Sequence, residues 1–290
     1  MQDFFKYLTP SEVDKSWGVF LNVAGKASIP ANTHYPAKEH PTGYYFTWKR
    51  GRILEEYQLI YLTKGTGIFE NKDGQTNIKA GDILLIKPNE FHRYRPNLAT
   101  GWVENYIGFN GHLVPHFYKE MAFLKELVVF QHGISARMLG LFEAVFKLVQ
   151  AEQPSFQQIA TGLIVQIFGN MAAQQKRGDF PNKAMEQTIQ KILLEIRTEV
   201  AAPIDLQALA KRHHISYASF RKLFKKYTGK SPRQYHLELK VLRAKELIIS
   251  SDKTMQEISQ LLHFESIHYF SRFFKKKTGM SPTALRKTIQ

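Results

Sequence analysis

The amino-acid sequence predicts an α+β protein with several domains: an N-terminal β-barrel, a helical region behind it and a C-terminal all-α domain. Three observations support this fold class. Short apolar runs alternate with turn residues between Tyr57 and Phe109, a helical period follows from Leu113 onward, and a segment near the C-terminus repeats at an offset of 50 residues. With 290 residues, the chain is long enough for about two domains.

Composition excludes several classes of protein. Hydrophobic residues make up 43% of the chain and charged residues 22%, which is typical of a folded protein rather than a disordered one. The absence of cysteine excludes disulfides, Cys-ligated zinc and thiol catalysis. We find neither a signal-peptide core nor an apolar run of about 18 residues, so we expect a cytoplasmic protein with no membrane partner.

Positive charge is concentrated in the C-terminal third. The whole chain has a net charge of +15, and residues 186–290 carry 20 Lys and Arg against 9 Asp and Glu, a net of +11. Such a basic domain predicts a polyanionic partner such as nucleic acid. Gly178 and Pro181 lie in the polar stretch before it, so we place a linker at 177–185 and the basic domain at 186–290.

Residues 1–110 have the pattern of a small β-barrel with an N-terminal arm. Apolar runs at 57–62, 83–86 and 91–94 are separated by turn residues, and Asp73 with Gly74 is a hairpin signal. Strands of 4–6 residues at this spacing predict an antiparallel barrel of the double-stranded β-helix (cupin) type.

A barrel of this kind can enclose a small polar ligand. Aromatic rings stack on the C–H faces of sugars, and Arg, Glu and Asn side chains bind hydroxyl groups. Tyr44 and Tyr45 belong to the aromatic stretch before the barrel. The candidate ligand-binding residues are Trp48, Arg50, Arg52, His92, Tyr94, Trp102, Glu104 and Tyr106. The alternative for each aromatic residue is a place in the barrel core.

His92 raises the question of a metal. Cupin enzymes use closely spaced His residues with a Glu, followed by a later His, because a divalent ion needs three or four ligands. Here no His-x-His precedes His92, the equivalent stretch offers only Glu70, and His34 and His40 lie far upstream. We therefore expect no metal and no cofactor, and we interpret His92 as a pocket or structural histidine.

Residues 111–176 show the period of amphipathic helices. Two apolar stripes run along them, through Phe142, Val145, Phe146 and Val149 and through Ile159, Leu163, Ile167 and Met171. The second stripe predicts either a helix that dimerises or a helix that packs on its own barrel.

The repeat in the basic domain predicts two helix-turn-helix motifs. SYASFRKLFKKYTGKSPRQY begins at Ser216 and SIHYFSRFFKKKTGMSPTAL at Ser266, with nine of 20 positions identical. Each copy opens on a serine suited to cap a helix and closes on Thr-Gly followed by Ser-Pro. A short apolar helix precedes each copy. We place the two motifs at about 188–232 and 236–285, joined by a helix over 234–250.

The second helix of each motif has one apolar and one basic face. Phe220 and Phe224, like Phe270 and Phe274, lie on the side predicted to be buried. A short helix with Arg, Lys and His on its outer face suits the DNA major groove, and a helix N-terminus suits phosphates. The predicted DNA contacts are Ser216, Ala218, Arg221, Lys222, Lys225, Ser266, His268, Ser271, Arg272 and Lys275. A single lysine run is usually a solvated face; its duplication favours DNA.

The chain resembles the AraC/XylS-type (arabinose-operon-regulator) family of bacterial transcription regulators. The resemblance lies in FSRFFKKKTGMSP (270–282) and RAKEL (243–247), and in GDILL (81–85) with His92-Arg93-Tyr94. Ser259 and His263 stand where the family usually has Ala and Gly.

The resemblance implies a ligand-responsive, sequence-specific regulator without enzymatic activity. Its expected partners are double-stranded DNA, a small effector, RNA polymerase and a second copy of the chain, which makes it a homodimer. In that family a sugar sits in the barrel under the N-terminal arm, and matching by position puts Arg50, Tyr94 and Tyr106 in the pocket, with Glu104 in place of a His. The DNA-facing positions carried over are Arg221, Lys222, His268 and Arg272.

We therefore expect an activator of carbohydrate-utilisation genes. Two rival hypotheses remain open. One is a metal-dependent cupin enzyme, an isomerase or oxygenase, fused to a DNA-binding tail. The other is an architectural protein that binds DNA without sequence preference.

Overall fold

The computed structural model describes residues 3–33, 35, 46–178 and 181–288, without the side chains of 122, 123, 177 and 178. It divides the chain into an N-terminal unit (1–175) and a C-terminal unit (176–290). The sequence candidates His34, His40, Tyr44 and Tyr45 lie outside the described residues. None of the helices in the described ranges combines the length and apolar content that a membrane span needs.

The N-terminal unit is an antiparallel barrel backed by helices, as predicted. Its sheet has the strand order β1-β2-β7-β3-β5-β8, and β4 and β6 pair with the second half of the long strand β3. The elements are β1 (Phe4–Tyr7), α1 (Glu12–Ser16), β2 (Phe20–Ile29), β3 (Tyr57–Asn71), β4 (Gly74–Lys79), β5 (Asp82–Ile86), β6 (His92–Pro96), β7 (Trp102–Asn110), α2 (Val114–Glu120), α3 (Ala122–Glu126), β8 (Val129–Gln131), α4 (Ala136–Ala151) and α5 (Phe156–Gly178).

Strand β3 belongs to both faces of the barrel because it changes direction midway. Its register with β7 shifts between Leu62 and Lys64. At Gly65 the backbone has φ +79°, and a Cβ there would lie 2.0 Å from the carbonyl oxygen of Gly101. Only glycine fits this close approach. The bend lets one strand pair with β5 and β7 and then with β4 and β6.

Alternation along the strands separates two cores in this unit. Leu59 and Tyr61 of β3 face the core shared with α4 and α5, whereas Ile60 and Leu62 face the barrel interior. The same alternation holds in β5, where Ile83 and Leu85 face the helices and Leu84 and Ile86 the interior. The barrel interior is therefore a distinct compartment lined by one set of strand positions.

Helix α5 packs on its own barrel with a face that differs from the predicted stripe. Ile167 and Met171 are fully buried, but Ile159 is 56% exposed and Leu163 is only half-buried. The residues that complete the buried face are Ala160, Ile164 and Phe168. Steps of four drift around a helix of 3.6 residues per turn, so a stripe drawn at those steps crosses from one face to another.

The C-terminal unit is all helical and begins earlier than predicted. Helix α5 continues to Gly178, and the next helix starts at Lys183, where the Asn182 side chain accepts from the Met185 amide at 2.8 Å. Within the predicted linker at 177–185, residues 177–178 and 183–185 are therefore helical. The helices are α6 (Lys183–Thr198), α7 (Leu206–Arg212), α8 (Tyr217–Thr228), α9 (Pro232–Ser250), α10 (Met255–Leu261), α11 (Ile267–Thr278) and α12 (Pro282–Lys287).

The two predicted helix-turn-helix motifs are present, as α7–α8 and α10–α11. Ser216 caps α8 and Ser266 caps α11, each accepting a backbone N–H. Gly229 and Gly279 end these helices with φ +78° and +86°. The first motif packs into one hydrophobic core with α6, and the second into another with α12.

The two motifs differ by one residue in the turn. The cap before α7 is Asp205 and the cap before α10 is Thr254, an offset of 49, whereas the caps of α8 and α11 are offset by 50. The second turn therefore holds one additional residue, Glu265. Each turn places a histidine in the left-handed region, His214 at φ +54° and His263 at φ +47°.

The left-handed turn residues lead to a stability prediction. A residue with a Cβ is strained at positive φ, and glycine removes that strain. We expect His263→Gly to raise the free energy of unfolding by about 0.5–1 kcal/mol. Chemical denaturation of the full chain measures this. Glu265→Gly is the control: its φ is not positive, so glycine there should lower stability. A loss of stability in His263→Gly would contradict the prediction.

Candidate nucleic-acid interface and ligand pocket

Helices α8 and α11 carry the residues predicted to contact DNA, and we call them the reader helices. They present these residues to solvent. Their phenylalanines Phe220, Phe224, Phe270 and Phe274 are fully buried, which fixes the opposite side outward. Nine of the ten predicted contacts are exposed, and Ser271 is half-buried. The exposed residues are Ser216, Ala218, Arg221, Lys222, Lys225, Ser266, His268, Arg272 and Lys275.

The cations on the reader helices are unpaired where the sequence predicted DNA contacts. In the described part of the chain, Lys222, Lys225, Arg272 and Lys275 make no ion pair, and Arg221 contacts only the Tyr217 ring, at 5.8 Å. The acids of this unit pair elsewhere. Glu195 binds Arg212 and His213, and Glu238 binds Lys230 and Lys277. The outer faces thus keep uncompensated positive charge that can bind phosphates and base edges.

Six of the eight predicted ligand residues converge in or beside the barrel interior. Alternation places Trp102, Glu104 and Tyr106 of β7 on that side, opposite His92 and Tyr94 of β6. Gly25 leaves room for the Tyr106 ring, since a Cβ there would lie 2.4 Å from its hydroxyl. The sixth residue is Arg52, which forms an isolated β-bridge with His92.

Arg52 is the central charge of this interior cluster. Its Nε donates to His92 Nε2 at 3.0 Å, and its Nη2 donates to Gln58 Oε1 at 3.3 Å and to the Tyr94 hydroxyl. The guanidinium lies 5.0 Å from the Phe46 ring and 5.1 Å from the Tyr94 ring. These hydrogen bonds and ring contacts stabilise the partly buried guanidinium inside the barrel.

His92 is a neutral structural histidine. Because Arg52 Nε can only donate, His92 Nε2 must accept, and its Nδ1 therefore donates to the Glu90 carbonyl at 3.0 Å. Burial, and then the charge of Arg52, lower the pKa of His92 to about 4. Both ring nitrogens are occupied, so His92 is not free to bind a metal. Among the described residues, no three potential metal ligands lie together.

Glu104 is a buried carboxyl group of the interior cluster. It is 3% exposed, and its carboxylate oxygens lie 3.3 and 3.4 Å from the Tyr35 hydroxyl. Burial raises the pKa of Glu104 to about 7, although Arg52 and the Tyr35 hydrogen bond act to lower it. Nearby, the buried Trp102 Nε1–H has no hydrogen-bond partner among the described residues. The Trp102 Nε1–H thus has a hydrogen-bonding capacity that no described residue fills, and Glu104 accepts from one hydroxyl group.

Arg50 lies outside this cluster, contrary to the prediction, and Trp48 lies beside the cluster rather than in it. Arg50 is exposed in a turn in which its backbone N–H and that of Gly51 both donate to the Thr47 carbonyl. The turn reverses the chain, so Arg52 is the arginine that points inward. The Trp48 ring contacts the guanidinium groups of Arg93 and Arg95, which lie 4.5 and 4.1 Å from its centroid.

Trp48 instead lines a cavity of about 850 Å³. Other residues lining it are Tyr35, Phe46, Thr66, Asn77 and Asn97. Tyr35 and Phe46 also pack on Tyr94, at 6.0 and 5.5 Å between ring centroids. These two rings therefore lie between the cavity and the interior cluster.

Sequence reasoning missed Tyr35, Phe46 and Gln58. Gln58 was within reach, because it shares the alternation of β3 with Ile60 and Leu62, and its Nε2 donates to Glu56 Oε1 at 2.9 Å. Tyr35 and Phe46 come from outside the strands, and only the tertiary structure brings them to the interior.

Glu104 and His92 give the stability opposite dependences on pH. Relative to its ordinary pKa of 4.5, folded Glu104 holds its proton up to about pH 7, so its contribution to stability falls as pH rises between those values. The pKa of His92 falls from 6.5 to about 4, so its contribution rises with pH between 4 and 6.5.

We expect Glu104→Gln to remove the contribution to stability that decreases as pH rises, and to leave the contribution of His92 unchanged. The free energy of unfolding of the variant, minus that of the unsubstituted chain, should increase from about pH 5 to about pH 7 by at most about 1.4 kcal/mol per pH unit. Chemical denaturation across that range measures it. Glu55→Gln removes an exposed carboxyl as the control. A difference that stays constant with pH would contradict the assignment.

Comparison with known proteins agrees with both units. A helix-turn-helix domain model matches residues 209–288, and the model of the AraC-like ligand binding domain matches residues 34–180. The crystal structure of the DNA-binding domain of AdpA in complex with a target DNA is 26% identical, with a TM-score of 0.34; the match covers 35% of this chain and 91% of that one.

Characterised relatives match over most of their length. The HTH-type transcriptional activator RhaR of Pectobacterium carotovorum is 32% identical over 79% of this chain and 83% of its own. The Msm operon regulatory protein of Streptococcus mutans is 24% identical over 89% and 92%. The lactose operon transcription activator of Staphylococcus xylosus is 24% identical over 84% and 86%. The chain therefore belongs to the AraC-type family of transcription regulators, with a ligand-binding domain followed by a helix-turn-helix DNA-binding domain.

Proposed function

We propose that this regulator binds DNA through the outer faces of α8 and α11 and activates carbohydrate-utilisation genes in response to a small sugar. The observation that carries the DNA assignment is the pair of exposed, unpaired cationic faces on equivalent helices of two motifs. Three similar proteins support the rest by their names, an Msm operon regulator, RhaR and a lactose operon activator. A regulator of this kind works in the cytoplasm together with RNA polymerase.

Within each reader helix we assign separate roles. Arg221 and Lys222 of α8, and His268 and Arg272 of α11, are placed to reach base edges in the major groove. The capping serines stand at helix N-termini, where backbone N–H groups attract phosphates. Both reader helices pack on the one continuous helix α9, which favours simultaneous entry into successive grooves.

The effector pocket is the interior cluster together with the cavity beside it. The Glu104 carboxylate accepts from hydroxyl groups, the Trp102 Nε1–H donates to one, and the rings of Tyr94 and Tyr106 offer faces for sugar C–H groups. A neutral, hydroxyl-rich ligand fits this set better than an anion, because Glu104 can accept hydrogen bonds from hydroxyl groups and would repel a negative charge.

The outward face of α5 is where we place the homodimer contact. Val165 is 40% exposed and Ile159 more so, and a Cβ added at Gly162 or Gly169 would meet no atom within 4 Å. Small and apolar residues on one exposed helix face allow two helices to approach closely. Effector binding would then shift the population of the arrangement in which the DNA-binding domains engage their sites.

Arg272→Ala tests the reader assignment. Loss of a bidentate contact to a base should relax preference at one position of one half-site, by about 1–3 kcal/mol. Selection of binding sequences by the full chain, at fixed salt, measures this. Lys191→Ala, on the exposed side of α6, removes one positive charge away from the readers as the control. A uniform loss over all sequences would instead identify Arg272 as a phosphate contact.

Trp102→Phe tests the pocket. This substitution keeps an aromatic ring and removes the unpartnered N–H, so we expect affinity for the sugar found in a thermal-shift screen to fall about tenfold. Calorimetric titration measures the affinity. Arg50→Ala is the control and should leave affinity unchanged, because that side chain is exposed in a turn. Undiminished affinity in Trp102→Phe would place the sugar elsewhere.

A further inference from the structure

Lys240 is a buried cation in the middle of α9. It is 6% exposed, and among the described residues it is the one lysine or arginine that is buried. Its Nζ donates to the His263 carbonyl at 3.2 Å and lies 5.6 Å from the Phe264 ring. Within the described ranges no carboxylate pairs with it. Burial lowers the pKa of Lys240, as expected for a cation held away from water.

The acceptor of this hydrogen bond lies at a sensitive point of the second motif. His263 is the left-handed residue that ends α10, and Phe264 and Glu265 then lead to Ser266, the cap of α11. The His263 carbonyl lies beyond the C-cap of α10, where the hydrogen bonds of the helix have ended, and the Lys240 ammonium is a donor to it. The ammonium group therefore fixes the turn that determines where α11 begins.

A second basic side chain on the same face of α9 holds the other motif. His236 lies one turn before Lys240 and is also buried, and its Nε2 bonds the Val200 carbonyl at 3.1 Å. Val200 lies between α6 and α7, in the segment that leads into the first motif. Two buried basic groups at i and i+4 thus bind backbone carbonyls, one in the segment before the first motif and one in the turn of the second.

A buried ammonium group contributes little net stability. Removing such a group from water has a large free-energy penalty, and an apolar side chain of similar size is often as stabilising or more so. What the ammonium adds is direction, since a hydrogen bond to one carbonyl selects one turn geometry. The second turn needs such a constraint more than the first, because it is one residue longer.

We propose that Lys240 is a positioning residue for DNA recognition, which sets the orientation of α11 through the α10–α11 turn without contacting DNA. This inference rests on the proposed role of α11 as a reader helix. It assigns to one buried side chain the alignment of the second reader relative to the first.

The test compares base preferences of full-length variants. Arg272→Ala first identifies the bases read by α11, and Arg221→Ala those read by α8. We expect Lys240→Met to relax preference by about tenfold at the bases of α11 and to leave those of α8 unchanged. Lys240→Arg, which keeps the donor and the charge, should restore the preference. Lys245→Met, on the same helix, removes a charge outside the turn and should behave like the unsubstituted chain.

The outcomes separate the two proposals. If Arg272→Ala leaves base preference intact, the reader assignment fails. If Arg272→Ala relaxes it but Lys240→Met does not, or if Lys240→Met weakens both half-sites equally, the positioning role is wrong. Should Lys240→Met fail to fold, Lys240→Gln, which keeps one donor at shorter reach, provides the same comparison; an unchanged preference at the bases of α11 in that variant overturns the proposal.

Discussion

Both DNA-binding motifs depend on the packing of two separate cores against one helix. The first half of α9 gives Tyr235 and Leu239 to the core of α6, α7 and α8, and the second half gives Val241, Ala244, Leu247 and Ile248 to the core of α10, α11 and α12. A continuous hydrogen-bonded helix resists bending. The relative orientation of α8 and α11 is therefore determined by how each motif packs on α9. Local contacts such as those of His236 and Lys240 can adjust this orientation.

Burial changes the titration of the ionisable groups in the barrel interior. Burial leaves His92 neutral and holds a proton on Glu104 up to about pH 7, while His92 and two aromatic rings surround the Arg52 guanidinium. Electrostatic and hydrogen-bond interactions are stronger where water is excluded. A polar ligand that satisfies Glu104 and the Trp102 N–H therefore gains more here than it would at the surface.

Local rules predicted most of the DNA-binding unit, because its signals lie within short stretches of sequence. The caps Ser216 and Ser266 and the glycines at 229 and 279 are such signals, and so are the buried phenylalanines. The errors came from tertiary structure or helix geometry. The turn at 47–51 decides that Arg52 rather than Arg50 points inward, and Ile159 leaves the buried face of α5 because the helical period is not four. The burial of Lys240 had one signal in the sequence, because this lysine lies four residues before Ala244 and seven before Leu247 on the apolar face of α9.

The two motifs have the same fold, but different side chains hold the end of the first helix in each. This difference bears on how the regulator would recognise its DNA sites. In the first motif the end of α7 is held from outside α9, by Glu195 of α6 through His213 and Arg212. In the second, the end of α10 is held from within α9, by Lys240. The reader faces differ as well, with Arg221 and Lys222 on α8 and with His268 and Arg272 on α11. Since base readout depends on both the side chains and their orientation, the two halves of each site should have different sequences rather than be two copies of one.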